Sequence, residues 1–120
     1  MKKVPYGLER SKLHGEGDLL GVFWDNLKLK EVGQAFHMSA ASSVAIQFSG
    51  IFGEGGSVSL EGSVDGENYE VLRDSQGRAI RSFDKEIVSL GQMVRFIRPV
   101  VETGDLNTDI TCSMNVVGRA

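Results

Sequence analysis

The sequence predicts an all-β fold: a β-sandwich or jelly-roll-like domain of about seven or eight short antiparallel strands, preceded by an N-terminal arm. Three observations predict it. Apolar and polar residues alternate in Val44-Ala45-Ile46-Gln47-Phe48, in Ser57-Val58-Ser59-Leu60-Glu61 and from Asp109 to Val116. A period of two puts every second side chain on one face of a strand. Turn signals such as Gly53-Glu54-Gly55-Gly56, Asp65-Gly66 and Thr103-Gly104-Asp105 recur at short intervals, the punctuation of a chain that reverses often. No long helical pattern interrupts them.

The 120 residues suffice for one domain with a real core and are too few for two. Fifteen glycines against two prolines suit many tight turns. A net charge of −3 gives no basic footprint for nucleic acid or for an anionic membrane. No apolar run approaches the ~18 residues of a membrane span. The N-terminus, with Lys2, Lys3, Pro5, Tyr6, Glu9 and Arg10, lacks the apolar core of a signal peptide. Cys112 is the one cysteine, so no intrachain disulfide forms and no cysteine-based zinc site. The expectation is a protein made in the cytoplasm and not secreted.

Residues 1–18 carry no sustained period and read as an arm or irregular lead-in, with Tyr6, Leu8 and Leu13 as its anchoring candidates. Residues 19–120 read as the single β-sandwich domain. Leu19-Leu20-Gly21-Val22-Phe23-Trp24 is the first strongly apolar run, either a buried strand or a strip that docks on a partner. Leu27 to Gly33 alternates again. Gln34 to Met38 is short and extended, and the serines of 39–43 favour a loop over a helix because they compete for backbone hydrogen bonds. Val44 to Phe52 is a strand. Val58 and Leu60 mark one face of the next, with Ser57, Ser59 and Glu61 on the solvent face. Asp65-Gly66 is a strong hairpin dipeptide, since glycine accepts φ > 0 and aspartate tolerates it. Residues 79–83 are extended, and 84–91 read as a strand or one helical turn. Met93 to Val101 is a long strand, whose Pro99 belongs at an edge or bulge because it has no N–H. The final strand turns Ile110, Cys112, Met114 and Val116 inward.

Catalytic chemistry finds little to stand on. His14 and His37 lack partner motifs, and there is no nucleophile elbow, zinc-binding His-Glu-x-x-His or phosphate-cradling loop. No enzyme activity, no cofactor and no metal site is expected. Asp105-x-Asn107-x-Asp109 begins like a calcium loop, but the following glycine and distant glutamate are missing. Asp65, Asn68 and Asp74 flank turns, which such side chains stabilise by bonding their own backbone. Trp24, Tyr6 and Tyr69 are core aromatics or, alternatively, a platform for sugar rings. Arg98 either pairs with an internal carboxylate or reaches across a subunit boundary, both suited to its planar fork.

The run Val44-x-Ile46-x-Phe48-Ser49-Gly50-x-Phe52-Gly53, followed by Val58-x-Leu60-Glu61-Gly62-Ser63-x-Asp65-Gly66-x-x-Tyr69-x-x-Leu72-x-Asp74-x-x-Gly77, resembles small tailed-phage virion proteins of the β-sandwich capsid decoration or cement type. Arg95-Phe96-Ile97-Arg98-Pro99-Val100-Val101-x-x-Gly104-Asp105-x-x-Thr108-Asp109 continues the resemblance, which covers roughly residues 44–117. Tyr69 stands where that family often has Trp. The resemblance implies a structural protein of the virion, bound to the outside of the capsid as a homo-oligomer, a trimer favoured, and bridging major capsid protein subunits. Its expected contact residues are Tyr6, Leu8, Leu13, Leu19, Leu20, Phe23 and Trp24. The alternative is a carbohydrate-binding β-sandwich module of a phage tail or fibre.

Overall fold

The structure, a computed structural model, describes residues 1–12, 18–38 and 41–118. The two runs with the most regular alternation become its longest paired strands. Ala41–Ile51 and Asp109–Gly118 lie antiparallel, in one register from Asp109↔Ile51 to Val117↔Ser43. Val44, Ile46 and Phe48 on one and Ile110, Cys112, Met114 and Val116 on the other are buried, and the odd-numbered residues between them point outward.

Twelve strands form among the described residues: β1 (Lys2–Val4), β2 (Gly7–Lys12), β3 (Asp18–Leu27), β4 (Glu31–Gly33), β5 (Phe36–His37), β6 (Ala41–Ile51), β7 (Ser57–Ser63), β8 (Glu70–Val71), β9 (Arg81–Ser82), β10 (Glu86–Ser89), β11 (Phe96–Thr103) and β12 (Asp109–Gly118). They exceed the expected number because β4, β5, β8 and β9 are short pieces that pair wherever a long neighbour offers free backbone. The described residues contain no helix, and 86–89, ambiguous in sequence, are strand. One sheet has five strands in the order β10-β6-β12-β3-β2. The other has seven, along β1-β4-β11-β7-β8, with β5 on β11 and β9 on β7. All pairs are antiparallel except β1 with β4. The fold is therefore all-β, two layers closing on one core. Val22, Trp24, Ile46, Phe48, Ile110 and Met114 come to it from the five-stranded sheet, and Val58, Leu60, Ile97 and Val101 from the seven-stranded one.

Three local expectations change. The lead-in is not irregular over residues 2–12: β1 extends one sheet and β2 the other. Edge strands need a single row of backbone partners and carry charged residues outward, so no period betrays them. Tyr6 sits where the chain crosses between the layers, its ring edge-on to Phe36 at 5.3 Å and to Trp24 at 6.1 Å. Next, β7 is not half-buried, because Ser57 and Ser59 are covered as well. Ser57 Oγ lies 2.6 Å from Thr103 Oγ1, and Ser59 Oγ accepts from Arg81 Nε at 3.0 Å. Finally, Asp65-Gly66 does not close a two-residue hairpin. Pairing of β7 with β8 stops at Gly62↔Glu70, and the wider loop is organised by the Asp65 carboxylate. It accepts from the N–H groups of Glu67 and Asn68, from Asn68 Nδ2 and from Ser63 Oγ, all within 2.9 Å. Gly66 takes φ +82° there, as the sequence requires.

Pro99 is placed by a break in its neighbour. β5 pairs with residues 96–97 and β4 with 100–101, so no residue of the split strand pairs with Pro99 on that side. Gln34 bulges out at the break, donating its N–H to the Val4 carbonyl at 2.7 Å and accepting from Trp24 Nε1 at 2.9 Å.

Candidate functional site

The apolar strip 19–24 does not act as a unit. Strand alternation divides it, with Leu20, Val22 and Trp24 turned to the core and Leu19, Gly21 and Phe23 to the outer face of the five-stranded sheet. Trp24 is 0 % exposed, so its place among the contact residues is corrected: it is a core residue. Leu20 and Tyr6 are part-buried and pack against the core. Leu8, paired with Val22, is half-exposed at the open side of edge strand β2. Leu13 lies outside the described residues.

What the strip does supply is one margin of a broad sheet face. Residues directly opposite across a ladder share a face, so the registers lay out its rows. One row runs Phe23, Ser113, Gln47, Ile87 across four strands, and the next runs Gly21, Asn115, Ala45, Ser89. Leu19, Val117 and Ser43 form a third on one side, and Thr111 with Ser49 continues the face on the other. None of these residues is charged. Among the described residues charge returns around this centre, with Asp25 exposed on β3 beyond Phe23, Glu9 opposite Gly21 on β2, and Lys28 Nζ bonded to Asp109 Oδ2 at 2.9 Å at one end. The apolar members are prominent: Ile87 is 68 % exposed, and Ile51, beside Asp109, 59 %. Phe23 lies flat across Gly7, where an added Cβ would sit 2.5 Å from the ring. Between Ala45, Gln47, Ser113, Asn115 and Ile87 is a shallow depression of about 100 Å³. A neutral centre with a charged margin is the composition of protein contact surfaces. The sequence carried this signal in the odd positions of β6 and β12, the same alternation whose even positions mark the core.

The outer face of the seven-stranded sheet is different. Arg98 Nε and Nη2 both donate to Glu61 Oε1, at 3.1 and 3.0 Å, which settles its partner as an internal carboxylate. The guanidinium also stacks over the Tyr69 ring, 3.7 Å from the centroid. Lys3, Val32, Glu61, Arg98, Val100 and Glu102 line an open cleft there of about 360 Å³. Tyr69 is thus held under Arg98 on one sheet, while Trp24 and Tyr6 meet at the core, so the three aromatics form no common platform.

The turn aspartates serve the backbone. Asp105 Oδ2 accepts the Glu54 N–H at 2.9 Å and Oδ1 the Asn107 N–H at 2.8 Å, so its oxygens tie together the β6–β7 and β11–β12 turns. Asp74 Oδ1 accepts the N–H groups of Arg78 and Gln76, both at 2.9 Å. These amides hold all three carboxyls below the usual range, Asn68 N–H leading for Asp65, Arg78 N–H for Asp74 and Glu54 N–H for Asp105. Burial pushes the Cys112 thiol up. Among the described residues no group of three or more His, Cys, Asp or Glu side chains is placed to hold a metal ion. No protein-family model matches this chain, and no curated protein or solved structure matches it.

Proposed function

We propose that this protein is a virion structural protein of the capsid decoration type. It binds the outside of a phage shell and bridges neighbouring copies of the major capsid protein, with no catalytic step. The observation that carries the reading is the neutral centre of the five-stranded sheet's outer face, which suits a chain that works in an assembly rather than alone. The resemblance of residues 44–117 to phage decoration proteins supplies the setting. Attachment at many equivalent points suits such a role, because each copy then needs only a modest interface.

Co-sedimentation with capsid shells of the parent phage, joined to light scattering on the free protein, tests the proposal. The protein is expected to pellet with shells and to raise the temperature at which they come apart. A strictly monomeric protein that stays in the supernatant overturns it.

A further inference from the structure

We infer that the outer face of the five-stranded sheet is a contact between two copies of this chain, related by a two-fold axis that runs along the strands between β6 and β12. The inference deepens the assembly reading above by naming the occupant of that face, and rests on that reading for its setting.

Size comes first. Strands rise about 3.4 Å per residue and lie about 4.8 Å apart. Under this axis β12 and β6 cover each other along ten residues and β3 and β10 along four, while β2 lies outside the overlap, so about 450 Å² in projection is covered. The accessible area of a corrugated sheet is larger, which places this contact among the smaller specific interfaces, below the ~800 Å² per partner of the standard size. The seven-stranded sheet offers no comparable neutral expanse, since Lys3, Glu61, Arg98 and Glu102 interrupt its outer side.

Chemistry then selects a second copy. A face whose centre lacks charge offers little to complement a charged partner, but two such centres stack without desolvating an ion, Glu9 and Asp25 staying at the rim. Small side chains at Gly21, Ser43, Ala45, Ser49, Ser113 and Ser89 allow two sheets to approach to about 10 Å, the spacing of packed sheets. The row Phe23, Ser113, Gln47, Ile87 carries a large apolar residue at each end and polar ones between. The proposed axis reverses this row. Phe23 of one copy then covers Ile87 of the partner subunit and the adjoining depression, while Ser113 and Gln47 meet as reciprocal hydrogen-bonding groups. The exposed Ile87 and the part-buried Phe23 are each covered twice by one operation, as an isologous contact requires. Laid flat over Gly7, Phe23 leaves no ridge to hold the sheets apart.

Light scattering on the full chain reads the result directly. The wild type is expected at twice the 13.0 kDa chain mass. Gln47→Lys and Ser113→Lys each place like charges near the axis, and each is expected to weaken pairing on the order of a hundredfold or more. Both positions point to solvent, so circular dichroism melts should match the wild type. Leu106→Lys, at the end of the sandwich and 98 % exposed, should leave the pair intact. A wild type that is monomeric at about 100 µM, where a contact of this area is populated, overturns the inference. So does any oligomer, a trimer included, that both folded lysine variants leave unchanged. A pair that ignores shells overturns the decoration reading and keeps this contact. A monomer that coats shells does the reverse.

Discussion

Replacing Trp24 by phenylalanine separates the two roles that its sequence position allows, contact residue or keystone of the core. The indole is fully buried and makes one polar contact, Nε1–H to the Gln34 carbonyl at 2.9 Å. Tyr6 abuts it edge-on, and the backbone of Gly33 passes so close that a Cβ there would sit 2.7 Å from Cδ1. Phenylalanine keeps the six-membered ring's bulk but vacates the space of the pyrrole, which costs about 1–2 kcal/mol in a core that cannot fully relax. Losing the donor leaves the Gln34 carbonyl to water at a part-buried site, about 1 kcal/mol more. A total of about 2–3 kcal/mol corresponds to a fall in Tm of about 8–12 °C for a domain of this size. Thermal melts followed by circular dichroism give the number. Trp24 is also the one tryptophan, so its fluorescence is an independent reading: blue-shifted emission, shielded from acrylamide until the protein unfolds. A variant that melts within about 2 °C of the wild type, or a wild-type emission readily quenched in the native state, would refute the keystone role.

Gly33→Ala should destabilise by about 1–3 kcal/mol, because the added methyl meets Pro99 Cδ at 2.6 Å and Trp24 Cδ1 at 2.7 Å, ring atoms that cannot swing aside; urea titration checks it, and an unchanged midpoint means that the β4–β5 break is more pliant than its packing implies. Acid should destabilise the fold through its turns. Asp65, Asp74 and Asp105 are all held below their ordinary values, so as pH falls the unfolded chain takes up protons first. Their contribution is complete above about pH 4 and is lost below it as the folded-state carboxyls protonate. Urea midpoints measured from pH 6 downward should fall below pH 4, less steeply in Asp65→Asn. Identical acid limbs in variant and wild type would remove Asp65 from the account.

The core was legible where burial on one side forces alternation: Ile46 and Phe48, Ile110 to Met114, and Val58 with Leu60 all read correctly from their spacing. Such a pattern reports a strand's own two faces and says nothing of which strand lies beside it. β1 and β2 were missed for that reason. Lys2–Val4 becomes a strand because Glu31–Gly33, far along the chain, offers it a parallel edge, with Lys2 Nζ facing Glu31 Oε2 at 3.8 Å. The same limit explains Ser57 and Ser59, polar in sequence yet covered by Thr103 and Arg81 from neighbouring strands. It also explains why the partner of Arg98 stayed open until the register Arg98↔Glu61 put the carboxylate opposite it. For the candidate site the sequence pointed to the strip 19–24, half of which is core. The larger part of the face lay unread in β6 and β12, because a serine or alanine on an outer strand face looks merely unremarkable one residue at a time. Only a register that lines those residues up across several strands makes their lack of charge a property of a surface.

That lack of charge is the feature that folding alone does not explain. Both sheets must present apolar residues inward, and both do. Neither outer face is under any such demand, yet the chain treats them differently. It places Lys3, Glu61, Arg81, Arg98 and Glu102 on or beside one, and leaves the middle of the other to Ser, Ala, Gln, Asn, Thr, Leu, Phe and Ile. A quarter of the residues are charged, so supply is not the constraint. A wide, neutral sheet surface is a hazard for a lone protein, inviting indiscriminate association. Retaining it makes physical sense when a matching surface covers it, and the flattest match to such a face is the face itself. The strand that closes the outer margin, β2, sets Glu9 on the same face beside Gly21, a charge that confines the neutral surface, and any copy stacked on it, to the strands inside that margin.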